Sequence, residues 1–366
     1  MPDYENYVFL RSLAWRLHLD DWEESQINRL NADLESAMKQ VIRKFRKTAI
    51  VSTDGVKWSA SDPLAEKRLR DLLTFLSGLT TPVQKALEGQ AGAIYDQVAT
   101  KTTEEYNDIL SIEGSLRINT VTPTQRQITA MVATVAGGTF ATAFDYHLHD
   151  RVISALDTGI LTGVGYRPLV DTVSGLWKDG LRNDIISLVR THVQSVQNKA
   201  AKLVADHNRD ILQNKWEWCA ILDNRACISC MCLDGRLFDM DDDIDIPLHI
   251  RCRCIRKWRT KSWAEITKGK IDIPEAEKKM RVWAWRKDGA IGVGGKKLLL
   301  HGNIKGSFKD FYKKLPYSSQ KKLVGPVRAR LIREGKISFD DMVTPRGEIY
   351  ALSKDREGLS HRTYKH

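Results

Sequence analysis

No run of about 18 consecutive apolar residues occurs in this 366-residue chain, and a transmembrane helix needs roughly that many. The most apolar stretch, residues 131–144, is broken by Gly137 and Gly138 and is too short to span a bilayer. Met1 to Leu10 carry acids rather than a basic n-region, which argues against a secretory leader. Cysteine is missing from almost the whole sequence, because all six lie between Cys219 and Cys254. A disulfide-stapled secreted protein spreads its cysteines and carries a leader, so this clustering points instead to reduced thiols in a local metal site. The hydrolase patterns G-x-S-x-G and H-E-x-x-H are absent. Two near-motifs fail on chemistry. The acidic run Asp239–Asp245 lacks the glycine (Ile244) and the bidentate glutamate (Ile250) of a calcium loop. Ala290–Lys297 lacks the first glycine of a phosphate loop, and Lys297 replaces the hydroxyl that would hold magnesium.

What is present is ordinary globular composition, 42% hydrophobic and 28% charged, on a chain long enough for two or three domains. The net charge of +11 is unevenly spread. Residues 1–250 carry −7 and residues 251–366 carry +18. A basic third of this kind fits a polyanion partner, most often nucleic acid, or else a merely soluble basic surface.

The first half reads as helices. Asp20 or Asp21, with Glu23 or Glu24 three residues on, resembles a capping box. Ile27, Leu30, Leu34, Met38, Val41 and Phe45 then follow at spacings of three and four. Ser61-Asp62-Pro63 and Thr81-Pro82 suggest further helix starts, with helical stretches over 64–77, 82–112 and 123–158. Val189, Val193, Val196, Ala200 and Leu203 predict one long amphipathic helix from Asp184 to about Leu212. After Trp216 no 3.6-residue period survives, and residues 216–258 read as short strands and turns. Residues 259–287 are basic and carry Trp263, Trp283 and Trp285, just after Trp258. The glycine-rich stretch 288–306 reads as a linker. A small last unit follows, with Ser307 capping a helix that bears Phe308, Phe311 and Tyr312, and a second helix over Lys321–Glu334. The expected class is α+β, mainly α. It has an N-terminal helical region (1–120), a domain over 121–258 with its cysteine/histidine module at 216–258, a basic connector (259–306) and a C-terminal unit (307–366).

The chemistry is concentrated in the module. Cys227 and Cys230 form a C-x-x-C pair, and His249 and Cys252 follow with eighteen residues between Cys230 and His249. Two such pairs complete the tetrahedral thiolate–imidazole shell of a structural zinc site, which adds folding free energy to a small module. Cys254 and Cys232 are alternative ligands, and Cys219 reads as a core thiol. Buried free thiols with a hydrogen-bonded histidine are the other reading of the same residues.

The same stretch resembles the phage Mu F-like head-morphogenesis family, the minor capsid proteins of tailed phages. The matching elements are Arg190-Thr191, Trp218, Asp223, Arg225, Cys227, Cys230, Asp234-Gly235, Pro247, His249 and Cys252-Arg253-Cys254. Ala226 stands where the family usually has threonine, and Leu248 separates Pro247 from His249. A looser similarity covers Phe308–Val343. The resemblance implies a non-enzymatic protein of the virion interior, assembled in the host cytoplasm with no membrane role. Its implied partners are the portal protein, the major capsid or scaffolding protein, and packaged double-stranded DNA. Its implied work is head assembly, DNA packaging or DNA ejection. Two further expectations attach to residues. Arg190 should pair with a module acid, Asp223 foremost, and Lys313, Lys314, Lys321 and Lys322 should contact DNA phosphates. Competing functions are an effector that delivers a C-terminal nuclease-like unit, and a zinc-dependent DNA-binding protein with no phage role.

Overall fold

Residues 4–53 include neither glycine nor proline, and they form one helix, α1 (Tyr4–Thr53). The apolar spacing read from the sequence marks its inner face, since Ile27, Leu30, Leu34, Met38 and Val41 are all buried. The expected start at Asp20 is not a start. Asp20 is the i+4 partner of Arg16 at 2.6 Å, and with no breaker upstream the helix simply passes through. The second helix, α2 (Ala65–Ser111), likewise runs through Pro82, where a new helix was expected. Interior proline costs about 3 kcal/mol. Burial of Leu87, Ala91, Ile94, Tyr95 and Val98 just beyond it offsets that cost. In the preceding turn Thr80 and Thr81 donate their hydroxyls to the Ser77 carbonyl at 3.2 and 2.8 Å.

The structure is a computed structural model that describes residues 4–53, 65–113, 116–136, 151, 154–155, 158, 171–172, 174–221, 226–242, 244–269, 309, 312–313 and 315–364. A two-residue hairpin, β1 (Ile112–Glu113) and β2 (Leu116–Arg117), follows α2. Helix α3 (Gln125–Ala136) opens on a capping box: the Gln127 amide oxygen accepts from the Thr124 N–H and hydroxyl, both at 2.9 Å. Of the expected stripe, Val189, Val193, Val196 and Ala200 lie fully buried on α4 (Arg182–His207), and Leu203 is half-buried. A π-helical turn, Leu176–Leu181, leads into it. Strand β3 (Leu212–Cys219) occupies the place where the sequence texture changes. Helix α5 (Ile228–Leu233), β4 (Leu237–Asp239), β5 (Ile255–Thr260) and the short α6 (Trp263–Ile266) follow. Toward the C-terminus come α7 (Tyr317–Val324), α8 (Pro326–Arg333) and an antiparallel hairpin of β6 (Ile349–Leu352) and β7 (Leu359–Tyr364). The single helix expected over Lys321–Glu334 is two helices. Gly325 adopts φ +84° and Pro326 has no N–H to continue the first. The class is α+β, mainly α, as the sequence suggested.

The chain divides into two units. One comprises Met1–Asp20, Ala99–Ile128 and Gln194–His366, and the other Asp21–Val98 and Thr129–Val193. The first holds the sheet, ordered β4-β3-β5 and antiparallel throughout. Trp216 faces Phe238 on one neighbouring strand and Trp258 on the other. Its ring stacks on Phe238 at 4.8 Å. Trp216, Trp218 and Trp258 are fully buried, so Trp258 is a core residue and not a free stacking surface. Trp283 and Trp285 lie outside the described residues. This core runs on without a break into the last segment, where Tyr312, Leu331, Phe339, Met342 and Ile349 belong to the same apolar cluster as Trp216, Met231 and Cys252.

Candidate metal centre

Two chain reversals build the centre. In the first, Cys227 precedes α5 with an extended backbone, and its Sγ accepts the Cys230 N–H at 3.3 Å. The helix ends one turn later at Asp234, whose carboxylate accepts the Ala220 N–H at 3.0 Å. Gly235, at φ +82°, returns the chain to β4. The Asp-Gly pair thus acts as the turn the sequence suggested. In the second reversal the Cys252 N–H bonds the His249 carbonyl at 3.1 Å. Arg251 between them is held at φ +61°, a left-handed conformation that costs a non-glycine residue on the order of 1–3 kcal/mol.

These turns bring four expected ligands together. His249 Nε2 lies 3.1 Å from Cys227 Sγ and 3.2 Å from Cys230 Sγ, and Cys230 Sγ lies 3.8 Å from Cys252 Sγ. Cys254 joins them. Cys227, Cys230 and His249 form one group with ligand atoms within 4.8 Å, and Cys230, Cys252 and Cys254 form another. Cys230 is common to both. The imidazole is oriented as a ligand needs to be: Nδ1–H donates to the Ile250 carbonyl at 2.8 Å, which leaves Nε2 facing the sulfurs.

The electrostatics collect negative charge at one point. The hydrogen bond from Cys230 leads in drawing the Cys227 thiol down to about 4. Cys252 is also held well below the ordinary thiol range, first by its hydrogen bond from Cys230. Burial opposes charge on His249, yet the Cys227 and Cys252 sulfurs raise it to about 10. Cys230 is pushed up by its hydrogen bond to Cys227, and Cys254 by burial. Sulfurs and an imidazole packed this closely could hold a cation. The geometry fits a divalent ion. Two sulfurs each ~2.3 Å from a tetrahedral ion lie ~3.8 Å apart, which is the Cys230–Cys252 separation. The same separation excludes a disulfide, whose sulfurs are ~2.05 Å apart. Cys232 is in neither group; it is buried in the core, and burial lifts its thiol to about 12. Cys219 packs against Phe9, Leu13, Ile221 and Ile255 as a core thiol.

The remaining expected residues are distributed more widely. Arg190 meets carboxylates of α1. Its guanidinium meets Glu23 at 3.4 Å and Glu24 at 3.3 Å, both on α1, because the long N-terminal helix supplies acids that a helix starting at Asp20 would have used for capping. Asp223 and Arg225 lie outside the described residues. Lys313, Lys321 and Lys322 are exposed, with Lys321 Nζ 5.1 Å above the Tyr317 ring. Lys314 lies outside the described residues. Part of the basic tail is internally neutralised. Arg330 and Lys336 both engage Glu357, and Lys309 engages Asp340. The acidic loop is likewise structural: Asp241 pairs with Arg209 at 2.7 Å, and Asp242 accepts the Asp239 N–H at 2.8 Å.

Three groups of supporting residues escaped the sequence reading. Arg256 donates to the Ile244 carbonyl at 2.7 Å and lies 4.9 Å above Trp216, anchoring the loop that leads to His249. Buried Glu217 on β3 receives Lys257 at 3.3 Å. Gln194 and Asn198 on α4 both donate to the Cys254 carbonyl, at 2.5 and 3.3 Å. The available signal was two amides four residues apart among the buried valines.

Against known proteins, residues 147–256 match the family model described as Phage Mu protein F like protein, a stretch of less than a third of the chain. No curated protein and no solved structure matches the chain. The matched stretch contains α4, all six cysteines and His249, so the residues that build this centre lie within the stretch that is similar to that family.

Proposed function

We propose that this is a non-enzymatic minor capsid protein that works inside the phage procapsid near the portal, in head assembly, DNA packaging or DNA ejection. The coarser statement, a phage head-morphogenesis protein of the virion, rests on the Phage Mu protein F like domain at residues 147–256. That match is the observation that carries the reading. Two further observations support it. Among the described residues no helix is long and apolar enough to cross a membrane. The C-terminal segment shares its core with the cysteine module, whereas an effector with a deliverable enzyme calls for a unit that folds apart. The test is quantitative mass spectrometry of purified virions, in which a few copies per particle are expected to remain with the head after tails are removed. Recovery of the chain only in the host lysate would overturn the reading.

The ion that suits the centre is zinc. Thiolates and imidazole are soft to borderline donors in tetrahedral array, whereas calcium and magnesium take oxygen ligands. Cys227, Cys230, His249 and Cys252 are the proposed ligands, with Cys254 the alternative to Cys252. When bound, zinc would close the two reversals onto each other and take no part in chemistry. For the basic face the proposed partner is packaged duplex DNA, met through phosphates by Lys313, Lys314, Lys321 and Lys322. Each phosphate neutralised contributes about −0.9 to the slope of log K against log salt. Changing these four lysines to Glu in the full chain is expected to flatten that slope in a duplex-binding titration. Unchanged binding, or co-purification with portal without any DNA shift, would reassign the face to protein contact.

A further inference from the structure

The backbone carbonyl of Cys254 is gripped from one side by two buried amides. Gln194 Nε2 donates to it at 2.5 Å and Asn198 Nδ2 at 3.3 Å. Both side chains come from α4, four residues apart and therefore on one face of the helix. Neither is exposed, at 0% and 2% of their free surface. Asn198 also donates to the Gln194 carbonyl at 3.0 Å, so the two amides are fixed relative to each other. The Gln194 Oε1 is buried with no hydrogen-bond partner among the described residues. A buried acceptor left in that state is a cost. A leucine or valine would have continued the aliphatic stripe of α4 without it.

Cys254 closes the reversal that carries Cys252, and both sulfurs stand in the group that contains Cys230. On its other side the Cys252 N–H is tied to the His249 carbonyl, across Arg251 at φ +61°. A one-ångström shift of this segment would move a sulfur out of the tetrahedral edge it shares with Cys230.

We propose that Gln194 and Asn198 are positioning residues for the metal centre: by sharing the Cys254 carbonyl they lock the Cys252–Cys254 segment to α4 and set the sulfur geometry that the ion meets. This rests on the zinc reading of the centre. Partners of this outer kind that orient ligands alter metal affinity by about 10–100-fold when removed.

The test uses full-length protein as wild type, Gln194→Leu, Asn198→Ala and Gln197→Leu. Gln197 is equally buried on the same helix but makes no bond to Cys254 among the described residues. Zinc affinity is measured by competition with a chromophoric chelator, and coordination by the absorption spectrum of the Co²⁺-loaded protein. Gln194→Leu is expected to weaken zinc by 10–100-fold and to perturb the Co²⁺ spectrum. Asn198→Ala should do so less, and Gln197→Leu should do neither. The thermal midpoint of metal-stripped protein should shift equally in Gln194→Leu and Gln197→Leu, which separates positioning from bulk packing. Wild-type affinity and spectrum in Gln194→Leu, or an equal loss in Gln197→Leu, would overturn the proposal while leaving the zinc reading intact. A wild type that binds neither ion would overturn both. If Gln194→Leu does not fold, Asn198→Ala, which removes the longer bond to the Cys254 carbonyl together with the bond to the Gln194 carbonyl, decides between the same outcomes.

Discussion

In the unit built from Asp21–Val98 and Thr129–Val193, order comes from long helices whose aliphatic faces are buried, Leu30, Leu34 and Met38 on one and Ile94, Tyr95 and Val98 on another. In the other unit helix faces, with Ile109 and Leu110 on α2 and Val204 on α4, share the core with the sheet and do not fill it alone. Three tryptophans, a buried Glu217–Lys257 pair and five ligand-type side chains occupy it, and residues from both ends of the chain close it. The first arrangement spreads its stabilisation over many equivalent contacts, each contributing about 1.5–3 kcal/mol at most. The second concentrates it on a few groups that are individually hard to replace. Single substitutions should therefore be felt far more in the cysteine-bearing unit.

The largest effect should follow loss of the ion. Structural zinc contributes on the order of 10 kcal/mol to small modules, so Cys230→Ser, at the sulfur common to both ligand groups, should open the module outright. Freshly purified reduced wild type should carry about one equivalent of zinc, and the variant almost none. Tryptophan emission from Trp216, Trp218 and Trp258 should shift to the red on chelation or in Cys230→Ser, while most far-UV helical signal persists. Unchanged emission would break the contrast between the units. Comparing Cys252→Ser with Cys254→Ser would sharpen it by showing which sulfur is the last ligand.

A smaller effect is expected at Gly347, in the turn that seats the C-terminal segment. A Cβ there would lie 2.5 Å from Leu248 Cδ2 and 3.0 Å from Leu233 Cδ1, on a backbone at φ +81°. Gly335 has a similar φ, +70°, but open space around it. Gly347→Ala should cost about 1–3 kcal/mol in urea denaturation, from strain and overpacking together, and Gly335→Ala should cost less. Equal losses would mean that Leu248 yields freely and that the segment is loosely seated.

The smallest and most gradual effect belongs to the helical unit. His192 sits 3.1 Å from the Tyr95 hydroxyl, and burial lowers its pKa while raising that of Tyr95. The unfolded chain therefore binds a proton at His192 more readily than the folded one. Stability is then highest above the unfolded value of about 6.5 and declines as pH falls below it. His192→Gln should flatten the decline between pH 7 and 5 in a series of denaturation curves. A wild-type curve that is flat over that interval would remove His192 as a titrating element.

The legibility of the molecule follows the same division. Ile27, Leu30, Leu34 and Met38 announced a helix face because burial on a helix leaves a 3.6-residue period. The ends were misread where local signals were overruled, as at Asp20, taken up by Arg16, and at Pro82, carried by the packed turns after it. In the module the candidate ligands were legible because a metal site restricts both residue type and spacing. Cys227, Cys230, His249 and Cys252 carry that pattern in the sequence, and the structure brings their side chains together. Their supports were not, because an amide such as Gln194 has no sequence signature that says which carbonyl it will meet. The Glu23 and Glu24 partners of Arg190 were not legible, since ion pairing depends on which distant helix arrives beside it.

Val8 near one end of the chain and Ile349 near the other lie in one apolar cluster. During synthesis at roughly 5–20 residues per second, domains generally fold as they emerge. Here Val8 must wait for Ile349, made far later, before their shared core can close. The helices of the other unit can form while the ribosome is still working. A chain that stops short of the β6–β7 hairpin would leave the cysteine module open on one side, its thiols accessible and its tryptophans wet, and cellular proteases would act on it first. Synthesis through the β6–β7 hairpin is thus a checkpoint built into the packing, before which this core stays open.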